Sequence, residues 1–214
     1  FTLQRFLSSD GNTVAWYRWQ IGQTNDGAGL CSSWANQIGI AGALTAATTA
    51  RPTIQADGSL LFDGTANIMQ TAGFTLSQPQ TLYLVYKSIS FTNTDWIVNG
   101  ITLDSMAFLQ NGASPTVSAY AGVNTIHQLP SVGNYHIEYA VFNGASSSHN
   151  LDGGTATTGD IGATAAGGIV LGAKTGATNF SNIQANELIV RSVADNAATQ
   201  ALIQSYLKAI HGTP

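Results

Sequence analysis

The run from Gly168 to Gly212 constrains this chain more than any other stretch. It holds a glycine-flanked apolar segment, Gly168–Lys174 (GIVLGAK), and a longer one, Asn186–Val193 (NELIVRSV). An amphipathic segment over Asp195–His211 follows. There Leu202, Ile203, Tyr206, Leu207 and Ile210 gather on one side, and Gln200, Gln204, Lys208 and His211 lie opposite. This spacing predicts a helix with one apolar stripe. Asp195 suits its N-cap, Lys208 and His211 stand where the helix dipole favours cations, and Gly212 can end it. Such a helix is marginal alone and needs an apolar surface to lie on. The only surface the preceding residues can build is a sheet.

The rest of the chain supplies strands. Val14–Trp19 is an aromatic strand. Ser59–Phe62 runs into the turn Asp63-Gly64, with Ala66–Thr71 as the expected return strand. Thr81–Ile89 is the longest apolar run and reads as central. Weaker strands are expected at Trp96–Val98, Met106–Leu109 and Thr116–Tyr120. In Tyr135–Phe142 the residues Tyr135, Ile137, Tyr139 and Val141 share one face, and His136, Glu138, Ala140 and Phe142 share the other. Gly22–Ala50 reads as a surface-hugging connection anchored by Trp34, and residues 1–12 as a lead-in. The expected fold is all-β: a two-sheet antiparallel jelly-roll sandwich, one domain over 1–214, with a helix at 195–211 docked on it.

Composition sharpens this reading. With 214 residues the chain can bury roughly 70% of its unfolded surface without disulfide or metal, and Cys31, the one cysteine, has no internal partner. Only 8% of residues are charged, against about 25% in ordinary globular proteins. A net charge of −4 speaks against nucleic acid or an anionic membrane as partner. No apolar run approaches the roughly 18 residues of a membrane span. The uncharged Thr/Ser/Asn surface suits a virion-surface or extracellular setting. The start at Phe1, without a signal segment, reads as a fragment or processed product.

The order of segments resembles the concanavalin A-like lectin/glucanase superfamily, specifically its laminin-G-like jelly rolls. The resemblance rests on Trp16-Tyr17 followed by Trp34, Arg51-Pro52 to Phe62-Asp63-Gly64, Gly167-Gly168 to Leu171-Gly172, and Glu187–Val190 before Tyr206-Leu207. It implies a two-sheet sandwich and a domain of the kind found in secreted proteins, adhesins and phage tails, mostly non-catalytic and often sugar-binding. Glucanases of this superfamily carry acidic residues alternating along one strand. Here the only glutamates are Glu138 and Glu187, neither with an acidic neighbour two residues on.

Glycoside hydrolysis needs two carboxyls about 5–9.5 Å apart. The sequence offers only the pair His136 and Glu138, roughly 7 Å apart on one strand face, for proton transfer in a hydrolase or lyase. Glu187 reads as a second carboxylate or as the partner of a backbone N–H, Arg51 or Arg191. Ser, His and Asp all occur, but no G-x-S-x-G elbow does. Cys31 has no activating neighbour, and the four histidines lack zinc spacing. The loop residues Asp10, Asn12, Asp26, Asp63, Asp152 and Asp160 leave calcium open, although Asp and Asn serve turns as readily. No other cofactor is expected.

Sugar recognition calls for an aromatic platform with nearby amides and carboxylates. Trp96 with Asp95 and Asn99, and Tyr120 with Asn124 and His127, are the ligand-binding candidates. Trp16, Trp19 and Trp34 are assigned to packing. The leading expectation is a non-catalytic lectin-like domain for a glycan or cell-surface polysaccharide, plausible in a tail fibre or adhesion protein. The alternatives are a polysaccharide-cleaving enzyme built on His136 and Glu138, and a structural virion domain that assembles with copies of itself.

Overall fold

The computed structural model describes residues 3–102 and 105–214. A short helix α1 (Leu3–Ser9) opens the chain. The strands that follow are β1 (Thr13–Tyr17), β2 (Gln23–Asn25), β3 (Cys31–Trp34), β4 (Leu44–Thr45), β5 (Thr53–Ile54), β6 (Leu60–Asp63), β7 (Met69–Gln70), β8 (Gln80–Ser88) and β9 (Trp96–Asn99). Then come β10 (Ala107–Gln110), β11 (Val117–Tyr120), β12 (Ile126–Gln128), β13 (Tyr135–Phe142), β14 (Ser147–Leu151), β15 (Thr157–Gly159), β16 (Val170–Leu171) and β17 (Asn182–Arg191). Helix α2 (Ala197–His211) closes the fold.

Two antiparallel sheets result. The first runs β15-β14-β13-β8-β17-β6-β5, and the second β12-β11-β10-β9-β16-β7-β4-β3-β2. The first half of β17 takes β6 along one edge, and its second half takes β1 along the same edge. As expected, β8 is central: it pairs with β13 on one side and β17 on the other, and only Lys87 of its nine residues escapes full burial.

The inner faces enclose one core. Leu82, Leu84, Ala140, Phe142, Leu188 and Val190 from the first sheet meet Trp34, Leu44, Met69, Phe108, Val117 and Leu171 from the second. A second apolar cluster lies on the outer face of the first sheet. Trp16, Tyr83, Val85, Ile137, Tyr139 and Ile189 are covered there by Leu3 and Leu7 of α1 and by Ile203 and Leu207 of α2. This is the surface that the apolar stripe of α2 required. A side chain that alternates to the outside of this sheet is therefore buried as deeply as one inside, and β8 reads as continuously apolar instead of alternating.

Within the lead-in, residues 3–9 form α1, because Leu3 and Leu7, one helical turn apart, both find the apolar outer face. Three expectations are corrected. The connection 22–50 contains β2, β3 and β4, anchored as expected by a fully buried Trp34 whose indole N–H reaches the carbonyls of Arg18 and Ile21. The segment after Asp63-Gly64 is not a hairpin return, since β6 lies in the first sheet and β7 in the second. Asp63 Oδ1 accepts the N–H groups of Thr65, Ala66 and Asn67, which satisfies a crossing turn instead of a two-residue hairpin. Finally, Asn196 caps α2 by accepting from Thr199 N–H at 3.0 Å. Asp195 is diverted to Arg191 Nε and Tyr83 Oη, both 2.8 Å away. Gly212 ends the helix in the left-handed conformation, as expected.

Candidate functional site

Among the described residues no helix covers the outer face of the second sheet, although β9, β10 and β16 in its middle are buried. Phe108 and Ala119 point into the core, so Leu109 and Ser118, one position along, point out. The register then places Trp96, Leu109, Ser118 and His127 in one cross-strand row, with Tyr120 opposite Ala107 beside it. A second row, Thr24, Ser33, Thr45, Gln70, Val170 and Asn99, crosses the other strands of the same face. Five of these six side chains can accept or donate a hydrogen bond, and none carries a charge.

The connection between β16 and β17 folds over the middle of this face. Lys174 Nζ sits 4.8 Å from the centroid of the Trp96 ring, and Tyr120 meets that ring edge-on at 5.8 Å. Trp96 is consequently only 5% exposed. It is no open platform but the support on which Tyr120 stands, and Tyr120 remains partly exposed. Asn99 is fully buried beside it, with Nδ2 donating to Thr175 Oγ1 at 3.3 Å and Oδ1 without a partner among the described residues. Asp95 is half-buried at the start of β9, where burial raises its carboxyl above the usual range although Thr92 opposes this. Asn124 and His127 are exposed. The fold thus brings Trp96, Asn99, Tyr120 and His127 onto one face, while Asp95 and Asn124 lie in flanking turns. Thr45 and Gln70, which carry no signal in the sequence, line a groove of about 340 Å³ with Ile68 and Ala177 beyond the covering loop. Two-residue strands carry too little pattern to reveal such a row.

His136 and Glu138 share the inner face of β13 but do not meet. Glu138 is fully buried, with Oε1 2.5 Å from His149 Nε2 and Oε2 accepting from the Tyr86 hydroxyl. His149 stacks on Phe108 of the opposite sheet at 5.3 Å. His136 turns instead to Asp152, with Nδ1 2.6 Å from Oδ2, while its Nε2 lies 2.9 Å from Ser131 Oγ. Burial alone would push the His136 pKa down, but the bond to and charge of Asp152 outweigh it, and the value is raised. Ser131, the missed member of this set, had no sequence signal.

Glu187 does not pair with Arg51 or Arg191. It lies under α2 on the opposite face of the first sheet, accepting from Trp16 Nε1 at 2.6 Å and bonding His211 Nε2 at 2.9 Å. The two glutamates are therefore separated by a sheet and each is committed elsewhere. Arg51 is taken by Asp26, and Arg191 by Asp10 and Asp195.

The calcium candidates are engaged as well. Asp10 bonds Arg191 and Asn12 N–H, Asp26 bonds Arg51 and two loop N–H groups, Asp63 caps its turn, and Asp160 accepts from Gly162 N–H. Asp152 serves His136, and the Asn12 carbonyl accepts from Ser192. Among the described residues no three of His, Cys, Asp and Glu gather as ligands. Cys31 is buried, and burial pushes its thiol up to about 11, away from the reactive thiolate. No helix among the described residues is long and apolar enough to cross a membrane.

No protein-family model matches the sequence, and no curated protein does. Solved structures share the fold at low identity. Domain 4 of AbnA, a GH43 extracellular arabinanase from Geobacillus stearothermophilus, solved in complex with arabinotriose, superposes with a TM-score of 0.66 at 12% identity, over 90% of this chain and 98% of that domain. A GH54 α-L-arabinofuranosidase matches with a TM-score of 0.65 at 11% identity, over 92% of this chain and 59% of the enzyme. The sialidase of Trypanosoma rangeli matches with a TM-score of 0.61 at 12% identity over 92% of this chain. This chain spans about a third, 33%, of the sialidase.

Proposed function

We propose that this chain is a lectin-like sandwich of the concanavalin A-like, laminin-G-like type, which binds a glycan on the outer face of its second sheet and leaves the glycosidic bond intact. The observation that carries this reading is the exposed part of that face on either side of the covering loop. It offers a supported aromatic, Tyr120, with His127 on one side, and Thr45 and Gln70 on the other, groups able to stack on a sugar ring and bond its hydroxyls. Two findings support it. The two glutamates lie on opposite faces of a sheet, which suits binding better than glycosidic cleavage. One domain of the same fold, the arabinanase domain, was solved with an arabino-oligosaccharide. A setting on a virion or an extracellular surface, such as a tail fibre or adhesion protein, fits the low charge.

The test is a glycan array that includes arabino-oligosaccharides and bacterial surface polysaccharides, followed by titration calorimetry. Tyr120→Ala is expected to weaken the best ligand at least about tenfold, equivalent to about 1.4 kcal/mol, with the melting temperature preserved. An array on which nothing binds above background would overturn the proposal.

A further inference from the structure

The geometry points to a hydrolytic site distinct from the glycan face: Ser131, His136 and Asp152 form a nucleophile, base and orienter set for small carboxylic esters. Ser131 belongs to the turn between β12 and β13. That turn is held by the N–H of Gly133, which adopts a φ of +90° and donates to the Ser88 carbonyl at the end of β8 at 2.8 Å. His136 is 7% exposed and fixed by the strand. Asp152 is pinned from both sides by the backbone of Ile137: its Oδ1 accepts Ile137 N–H at 2.8 Å, and its own N–H donates to the Ile137 carbonyl at 2.8 Å. Its other oxygen, 2.6 Å from His136 Nδ1, selects the tautomer with the proton on Nδ1. In the imidazolium Nε2–H donates to the Ser131 carbonyl at 3.1 Å, and once that proton is lost Nε2 is the acceptor facing Ser131 Oγ at 2.9 Å. This is the hydrogen-bond order by which a serine hydroxyl is activated, recognised by geometry and not by chain order.

Access and an electrophilic partner are both present. Ser131 is exposed, and it lines a cavity of about 380 Å³ with Asn134, Tyr135, His136 and His211. Asn134 Nδ2 donates to Ser131 Oγ at 2.9 Å, so an amide donor stands beside the nucleophile, and on turning from Oγ to the carbonyl oxygen of a bound ester it would stabilise the developing charge. Leu129 and Val132, 60% and 40% exposed on either side of Ser131, offer apolar surface to an acyl chain. A turn held only for its shape would explain the Asp152 bonds. It does not require an exposed alcohol at the mouth of a cavity, within 2.9 Å of the imidazole nitrogen turned away from the carboxylate.

In the reaction, Ser131 Oγ adds to the ester carbonyl while its proton passes to His136 Nε2. The Asn134 amide donates to the oxyanion. Collapse breaks the acyl–oxygen bond, and the alcohol leaves with the proton from His136. Water then adds to the acylated Ser131, again giving its proton to His136, and the carboxylic acid departs as Ser131 Oγ recovers its proton. The net change is ester plus water to acid plus alcohol.

The whole chain should be treated with a fluorophosphonate probe and mapped by peptide mass spectrometry, and assayed with 4-nitrophenyl acetate from pH 6 to pH 9. The expected result is an adduct on Ser131, and hydrolysis that rises with pH as His136 gives up its proton above 6.5. Ser131→Ala should lower kcat/KM at least about 100-fold with an unchanged melting curve, and Asp152→Asn should lower kcat more than it raises KM. Absence of an adduct on Ser131, or hydrolysis undiminished in Ser131→Ala, overturns the inference. The labelling arm needs no variant to fold.

Discussion

Removal of the Glu138 carboxylate tests whether this acid is a structural tie or a reactive group. Glu138 is fully buried between the sheets and answers two donors that lie diagonally across β13: the Tyr86 hydroxyl on β8 and His149 Nε2 on β14. Glu138→Ala leaves both without a partner. Each orphaned buried group costs about 1–3 kcal/mol, and breaking a buried pair from one side typically costs about 3–5 kcal/mol in total. Glu138→Gln is milder. Its oxygen can still accept from Tyr86, and its amide can donate to His149 Nε2 in the other tautomer, so the loss is confined to charge assistance, about 1–2 kcal/mol. For a domain of this size 1 kcal/mol moves the midpoint by about 2–4 °C. The alanine variant should therefore melt roughly 6–20 °C below wild type, and the glutamine variant roughly 2–8 °C below. Urea denaturation followed by tryptophan fluorescence, checked against calorimetry for two-state behaviour, measures both. An alanine variant within about 0.5 kcal/mol of wild type would refute the burial argument, as would a glutamine variant less stable than the alanine one.

Two further outcomes follow from the same geometry. Leu207, 1% exposed on the buried face of α2, should cost about 2–5 kcal/mol as Leu207→Ala, and hydrogen exchange should then show α2 opening before the strands. His136 has a raised pKa, so its contribution to stability is full below its unfolded value near 6.5 and is lost as pH rises through the higher folded value. The melting temperature of wild type should fall relative to that of His136→Asn as pH climbs past 6.5, and parallel curves for the two proteins would contradict the pairing with Asp152.

What the sequence alone determined lies within single segments. The alternation of Tyr135–Phe142 predicts a strand that the fold contains residue for residue as β13. The apolar length of Thr81–Ile89 marks the central strand, and the stripe of α2 with Gly212 beyond it predicts a docked helix and its stop. Periodicity is a local property of the chain, and burial of one face is enough to express it. What tertiary structure decided was which segments became neighbours. It sent β6 and β7 into different sheets, and it brought Glu187 to Trp16, 171 positions away, and to His211. It also turned His136 from Glu138, its neighbour along the strand, toward Asp152 and Ser131. A residue's type states what it can bond. Its partner is set by register between strands distant in sequence, and no single segment carries that register.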